Sequence, residues 1–140
     1  MKGRGNVMNY DFAYDHRNRL LRITFRGDLD DKNLTEATRK LREVAPRISP
    51  KKVLSDFSEV TSLEVSSETV NSLAHLRPIF GAQVAQVIFA PQDHVFGMAR
   101  MFQALSAEQR PTMRVVRNLA EAYRILGVAE DPQFEALKVA

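Results

Sequence analysis

From Tyr10 to Phe25 the apolar side chains recur at every second position, and from Leu34 to Ile48 at every third or fourth. This change of period constrains the fold more than composition does. Spacing of two suits a strand with one buried face; spacing of three and four suits an amphipathic helix. Tyr10, Phe12 and Tyr14 alternate with Asp11, Ala13 and Asp15; beyond the polar link HRNR, Leu21, Ile23 and Phe25 alternate with Arg22, Thr24 and Arg26. The two runs predict a β-hairpin, with Gly27 ending its second strand. Leu34, Ala37, Leu41, Val44, Ala45 and Ile48 then form the apolar stripe of a first helix, begun by Asp30 or Asp31 and fraying at Pro46 and Pro50.

The alternation of periods continues along the chain. KKVLSDF reads as a short strand, followed by a connection that leads into a second helix carrying Val70, Leu73, Ala74, Leu76, Ile79 and Phe80. AQVAQVIFAP, the most apolar run, lies between Gly81 and Pro91 and reads as a central strand. Val95, Met98, Phe102 and Leu105 outline a third helix, TMRVVR a fifth strand, and Leu119, Ala122, Tyr123 and Leu126 a fourth helix stopped by Gly127.

The order β-β-α-β-α-β-α-β-α predicts a single α/β domain, a mixed five-stranded sheet with four main helices. Strands separated by one helix call for parallel pairing through right-handed crossovers. Pairing in sequence order would put the helices mainly on one face, and Arg22, Thr24, Arg26, Gln86 and Arg114 are the polar positions expected on the other. The domain is expected over residues 10–127, between a flexible N-terminal tail, 1–9, and a C-terminal tail, 128–140, that forms a loose helical turn or stays mobile.

The charges narrow the partner classes. Twenty Lys and Arg against 17 Asp and Glu give +3, and Lys2 and Arg4 carry two of those charges in the expected tail. The rest are interleaved with acids over every element, not gathered on one face, so nucleic acid is not the expected partner. The absence of cysteine suits a reducing cytoplasm. No apolar run is long enough for a membrane span, and MKGRGNVMNY lacks the apolar core of a secretory signal.

Two turns hold the candidate functional residues. In DFSEVTSLEVSSETV, Ser66 or Ser67 stands where the second helix begins: an N-cap in the plain reading, assisted by Glu68, and a phosphorylation site in the functional one. In APQDHVFGMARM, Asp93, His94 and Gly97 follow the carboxyl end of the central strand, where open α/β sheets place ligands; Asp28 and Ser58 are expected nearby. Asp93 is equally a good helix cap. Phe96, Met98, Met101 and Phe102 make the third helix apolar around more than one face, which reads first as core and second as a partner or lipid contact. His16, His75 and His94 have no metal-ligand spacing, and the chain shows no nucleophile elbow or phosphate-binding glycine loop. The expectation is a protein without metal, cofactor or catalytic residues, not an enzyme.

The order of elements from about Tyr10 to Gly127, together with SDFSEVTSLEVSS, resembles the STAS family, which includes the anti-sigma-factor antagonists. On that register Asp56, Ser58, Val60 and Thr61 match. Glu64 replaces an Asp, Val65 a Ser and Ser67 a Gly, and Ser66 falls on the family's phosphorylatable hydroxyl. GMARMFQAL and VVRNLAEAYRILGV look similar to bacterial SpoIIAA-like proteins of the STAS/SEC14-related kind. The resemblance implies partner switching, in which a kinase phosphorylates Ser66 and the added charge controls binding to an anti-sigma factor or a related regulatory protein. The interaction surface expected from these readings comprises Ser58, Glu64, Ser66, Ser67, Glu68, Asp93, His94, Met98 and Met101. Two alternatives stay open: a small-molecule or lipid carrier with a pocket lined by Phe96, Met98, Met101 and Phe102, and a homodimer joined through the less covered face or an edge strand.

Overall fold

The computed structural model describes residues 9–129 and 131–138. The hairpin forms as β1 (Tyr10–Asp15) and β2 (Leu20–Asp30), antiparallel with Phe12 opposite Ile23. Then follow α1 (Asp31–Ile48), β3 (Lys52–Glu64), α2 (Ser67–Ala74), β4 (Ala85–Phe89), α3 (Asp93–Leu105), β5 (Met113–Val116), α4 (Leu119–Leu126) and β6 (Glu135–Leu137). The sheet has six strands in the order β5-β4-β3-β2-β1-β6, not the expected five. The extra strand comes from the segment expected as a helical turn or mobile: Ala136 pairs with Ala13, covering the outer edge of β1. Three residues are too few to show a period, so only the partner strand makes this one visible.

Three parallel crossovers step across the sheet in one direction, which places their helices on one face. Ile23, Phe25, Val53, Phe57 and Ile88 pack there against Leu34, Ala37 and Val44 of α1 and Val95 and Ala99 of α3. On the opposite face Leu20, Leu54, Val87 and Val116 pack under Ala122 and Leu126 of α4. That face is only partly covered, as the polar positions suggest, and Arg22 lies over the ring of Phe134 at 4.0 Å. Gln86 is the exception. It alternates with Val87, shares the inner face with Ile88, and is 8% exposed.

Several boundaries differ from the sequence reading. β2 and β3 continue well past β1 and β4 as a two-stranded parallel ribbon, with Asp28 opposite Ser62 and Asp30 opposite Glu64. Gly27 does not end β2; it sits within the strand at φ +70°, beside one of two register shifts that bend the ribbon. α1, by contrast, runs to Ile48 as its apolar stripe predicts, through Pro46, and the left-handed backbone of Ser49 closes it. α2 stops at Ala74, short of the expected Phe80. Pro78 disfavours helical backbone at Arg77, and arginines from elsewhere take the carbonyls that a longer helix would have used.

Candidate functional site

α1 and α2 begin side by side at the far end of the ribbon. Asp30 caps α1, accepting from the Asn33 backbone N–H at 2.8 Å. This leaves the next carboxylate, Asp31, for another partner. Asp31 Oδ1 accepts the Ser66 backbone N–H at 2.7 Å, and Oδ2 accepts the Ser66 hydroxyl at 2.9 Å. Ser66 Oγ in turn accepts from the Thr69 backbone N–H at 3.1 Å and so caps α2. One hydroxyl therefore both caps a helix and ties it to its neighbour. The Ser66 backbone donor, followed by the hydroxyl donors of Ser66 and Thr69, holds the Asp31 carboxyl below its usual range.

Glu64, Ser67 and Glu68 around this cap are exposed, and Ser66 is half-buried. Asp28 and Asp30 belong to the same end of the ribbon, which gathers acids at the start of both helices. Sequence reasoning pointed to Ser66 and missed its partner. Two adjacent aspartates at one helix start were the available signal, since one residue suffices for the cap.

The other expected residues form a separate group. Ser58 donates through its backbone N–H and its hydroxyl to Asp56 Oδ1, at 2.8 and 2.6 Å. It is six strand positions from Glu64, up to about 20 Å along the ribbon. Gln92, just before α3, belongs to the Ser58 group and was not anticipated. Its side-chain amide donates to the carbonyls of Phe57, Ser58 and Val60 at 3.0, 3.3 and 2.8 Å. Those carbonyls lie beyond the last pairing with β4, where β3 has β2 on one side and no strand on the other. Asp93 is ion-paired with Arg117, His94 is exposed, and Asp28 accepts from Ser62 instead of joining Asp93. A Cβ at Gly97 would meet nothing within 4 Å, so no neighbouring protein atom requires a glycine there. Among the described residues no three His, Asp or Glu side chains stand close enough to hold a metal ion.

A cavity of about 140 Å³ lies between the inner face of the sheet and α1, α2 and α3. Met98 and Phe102 line it, as the carrier reading expected. Phe96 and Met101 do not; Phe96 lies under Arg117, whose guanidinium is 4.9 Å from the ring centre. Leu76, Ile79 and Phe80, whose spacing mimicked a longer α2, line the cavity from the connection after the helix.

No family model matches the sequence, and no curated protein does. Among solved structures, the anti-sigma factor antagonist SpoIIAA in its unphosphorylated form is similar at a TM-score of 0.56 and 16% identity, over 85% of this chain and 99% of that one. The Bacillus cell fate determinant SpoIIAA in its phosphorylated form gives a TM-score of 0.52 at 16% identity, over 81% and 98%. The chain therefore has the SpoIIAA-like STAS fold, as the order of its elements predicted.

Proposed function

We propose that this chain is a non-enzymatic regulatory module of the anti-sigma-factor-antagonist type. It works in the cytoplasm by binding a protein partner at the corner where α1 and α2 begin. Ser66 is its phosphorylatable switch, and Glu64, Ser67 and Glu68 are its contact residues. The observation that carries the reading is the pair of hydrogen bonds from Ser66 to Asp31. A phosphate on Oγ removes the hydroxyl donor and sets about −1.5 to −2 charges beside a carboxylate. The clamp between α1 and α2 is then repelled open, while the start of α2 still favours the new anion.

The fold likeness supports this reading, since one similar structure is described as an anti-sigma factor antagonist and another as a phosphorylated form. The acidic setting of the corner fits a partner with a basic contact surface. The test is affinity capture from the protein's own cells with wild type, Ser66→Ala, Ser66→Asp and the Glu64→Lys/Glu68→Lys double variant. A partner held by wild type and Ser66→Ala but lost from the other two supports the proposal. Capture that is identical across the set, or empty throughout, overturns it.

A further inference from the structure

The inner cavity combines apolar walls with one inward polar side chain, Gln86, and two arginines at its mouth. Ile88, Phe57, Met98 and Phe102 supply apolar wall. Gln86 also lines it, only 8% exposed, and among the described residues its side-chain amide has no hydrogen-bond partner. That amide is not sealed off, since the fully buried side-chain atoms without a partner among the described residues are Arg22 Nε and Gln92 Oε1; it is open to the cavity and free to bond what enters it. Aliphatic side chains would have served a purely structural core better at this position.

The mouth of the cavity is cationic. Leu76 is the exposed lining residue, and two guanidiniums gather beside it. Arg42 donates to the Arg77 carbonyl at 2.7 Å; Arg110 donates to the carbonyls of Ala74 and Leu76 at 3.0 and 3.1 Å. Among the described residues neither arginine has a carboxylate partner. Burial, and then the neighbouring charge of Arg42, lower the Arg110 pKa, as expected for cations held together without an anion. Gln86 is close to the same end, because it is opposite Met113 in the β4–β5 register, three residues on from Arg110.

We propose that this cavity binds a small amphiphilic oxyanion, with its head on Arg42, Arg110 and the Gln86 amide and its apolar body against Ile88 and Phe102. Guanidinium forks match the planar oxygens of a carboxylate or the oxygens of a phosphate. The volume, about 140 Å³, is close to the ~150 Å³ of an apolar cavity that takes up benzene, which sets the body at one ring or about six carbons. The site is distinct from the Ser66 corner, and its test does not involve that switch.

The test is an NMR titration of the full chain with hexanoate, hexyl phosphate and neutral hexanamide, following the Gln86 side-chain amide and the methyl groups of Ile88 and Met98. At least one anion should shift these signals saturably, and whichever binds identifies the head. Hexanamide should bind about tenfold more weakly or worse, since it cannot form the charge-assisted hydrogen bonds. Arg110→Met and Arg42→Met should each weaken the anion by a similar factor and leave hexanamide unaffected. Gln86→Leu should weaken the anion while raising the melting temperature, whereas a glutamine kept for structure would lower it on removal. The proposal is overturned if neither anion shifts the cavity signals, if hexanamide binds as tightly as hexanoate, or if Gln86→Leu lowers the melting temperature.

Discussion

Asp31 and Ser66, 35 residues apart, are joined at both the backbone and the side chain of the serine, so the beginnings of α1 and α2 are held as one unit. Loss of either side chain should weaken the tie between the two helix starts, while Asp30 still caps α1. Ser66→Ala removes the α2 cap and one bond of the clamp, and should destabilise the protein by about 0.5–2 kcal/mol. Asp31→Ala should also lower the denaturation midpoint. The double variant should lose less than the sum of the two, because both changes remove the same interaction. Urea unfolding of the four proteins measures the coupling; strict additivity would mean that the hydroxyl bond from Ser66 to Asp31 contributes nothing.

The same pair predicts a response to acid. The Asp31 carboxyl is depressed in the folded state, so its contribution is present above the unfolded value of about 4 and is lost as pH falls through the folded value. Asp15 acts in the same sense. Burial pushes its carboxyl up, but donors from the Asn18 side chain and the backbones of Asn18, Arg17 and Gln133 outweigh it and leave the group depressed. Melting temperature should therefore fall below about pH 4, and more gradually in Asp31→Asn. A parallel decline in both proteins would contradict the assignment for Asp31.

Gln92 closes the open edge of β3. Replacing it with Leu keeps the bulk but strands the carbonyls of Phe57 and Val60, at a cost of about 1–3 kcal/mol. Amide hydrogen exchange should accelerate from Phe57 to Val60 and remain unchanged in β1. Unaltered exchange in that stretch would show that the glutamine does not hold the edge.

Gly97 offers the opposite kind of change. It lies inside α3 with open space around its Cα, so Gly97→Ala should stabilise the protein by about 0.4–1 kcal/mol through the unfolded chain alone. A rise in melting temperature with an unchanged structure checks this; a fall would point to a neighbour that needs the space.

The caps and the order of elements were legible because they are local. Ser66 caps α2 and Gly127 closes α4 at φ +70°, as their residue types suggest. The first helix was fixed to within a residue by its apolar stripe. By contrast, the ribbon formed by the second half of β3 read as a connection. SEVTSLE is polar and largely exposed, so it has little burial pattern to show. Its strand character comes from pairing with β2, and the sequence of β3 alone does not contain that partner.

The amino-acid sequence by itself determined the four helices, the first five strands in their order and the parallel pairing of the later ones, but not β6, the second half of β3 or the end of α2, because period and capping act within a few residues. Tertiary structure alone decided what those elements bring together: Asp31 against Ser66, Gln92 on the β3 edge, and Gln86 facing inward with Arg42 and Arg110 near the cavity mouth. A side chain's partner depends on register and crossover direction, which are set by contacts dozens of residues apart, and no local pattern records them.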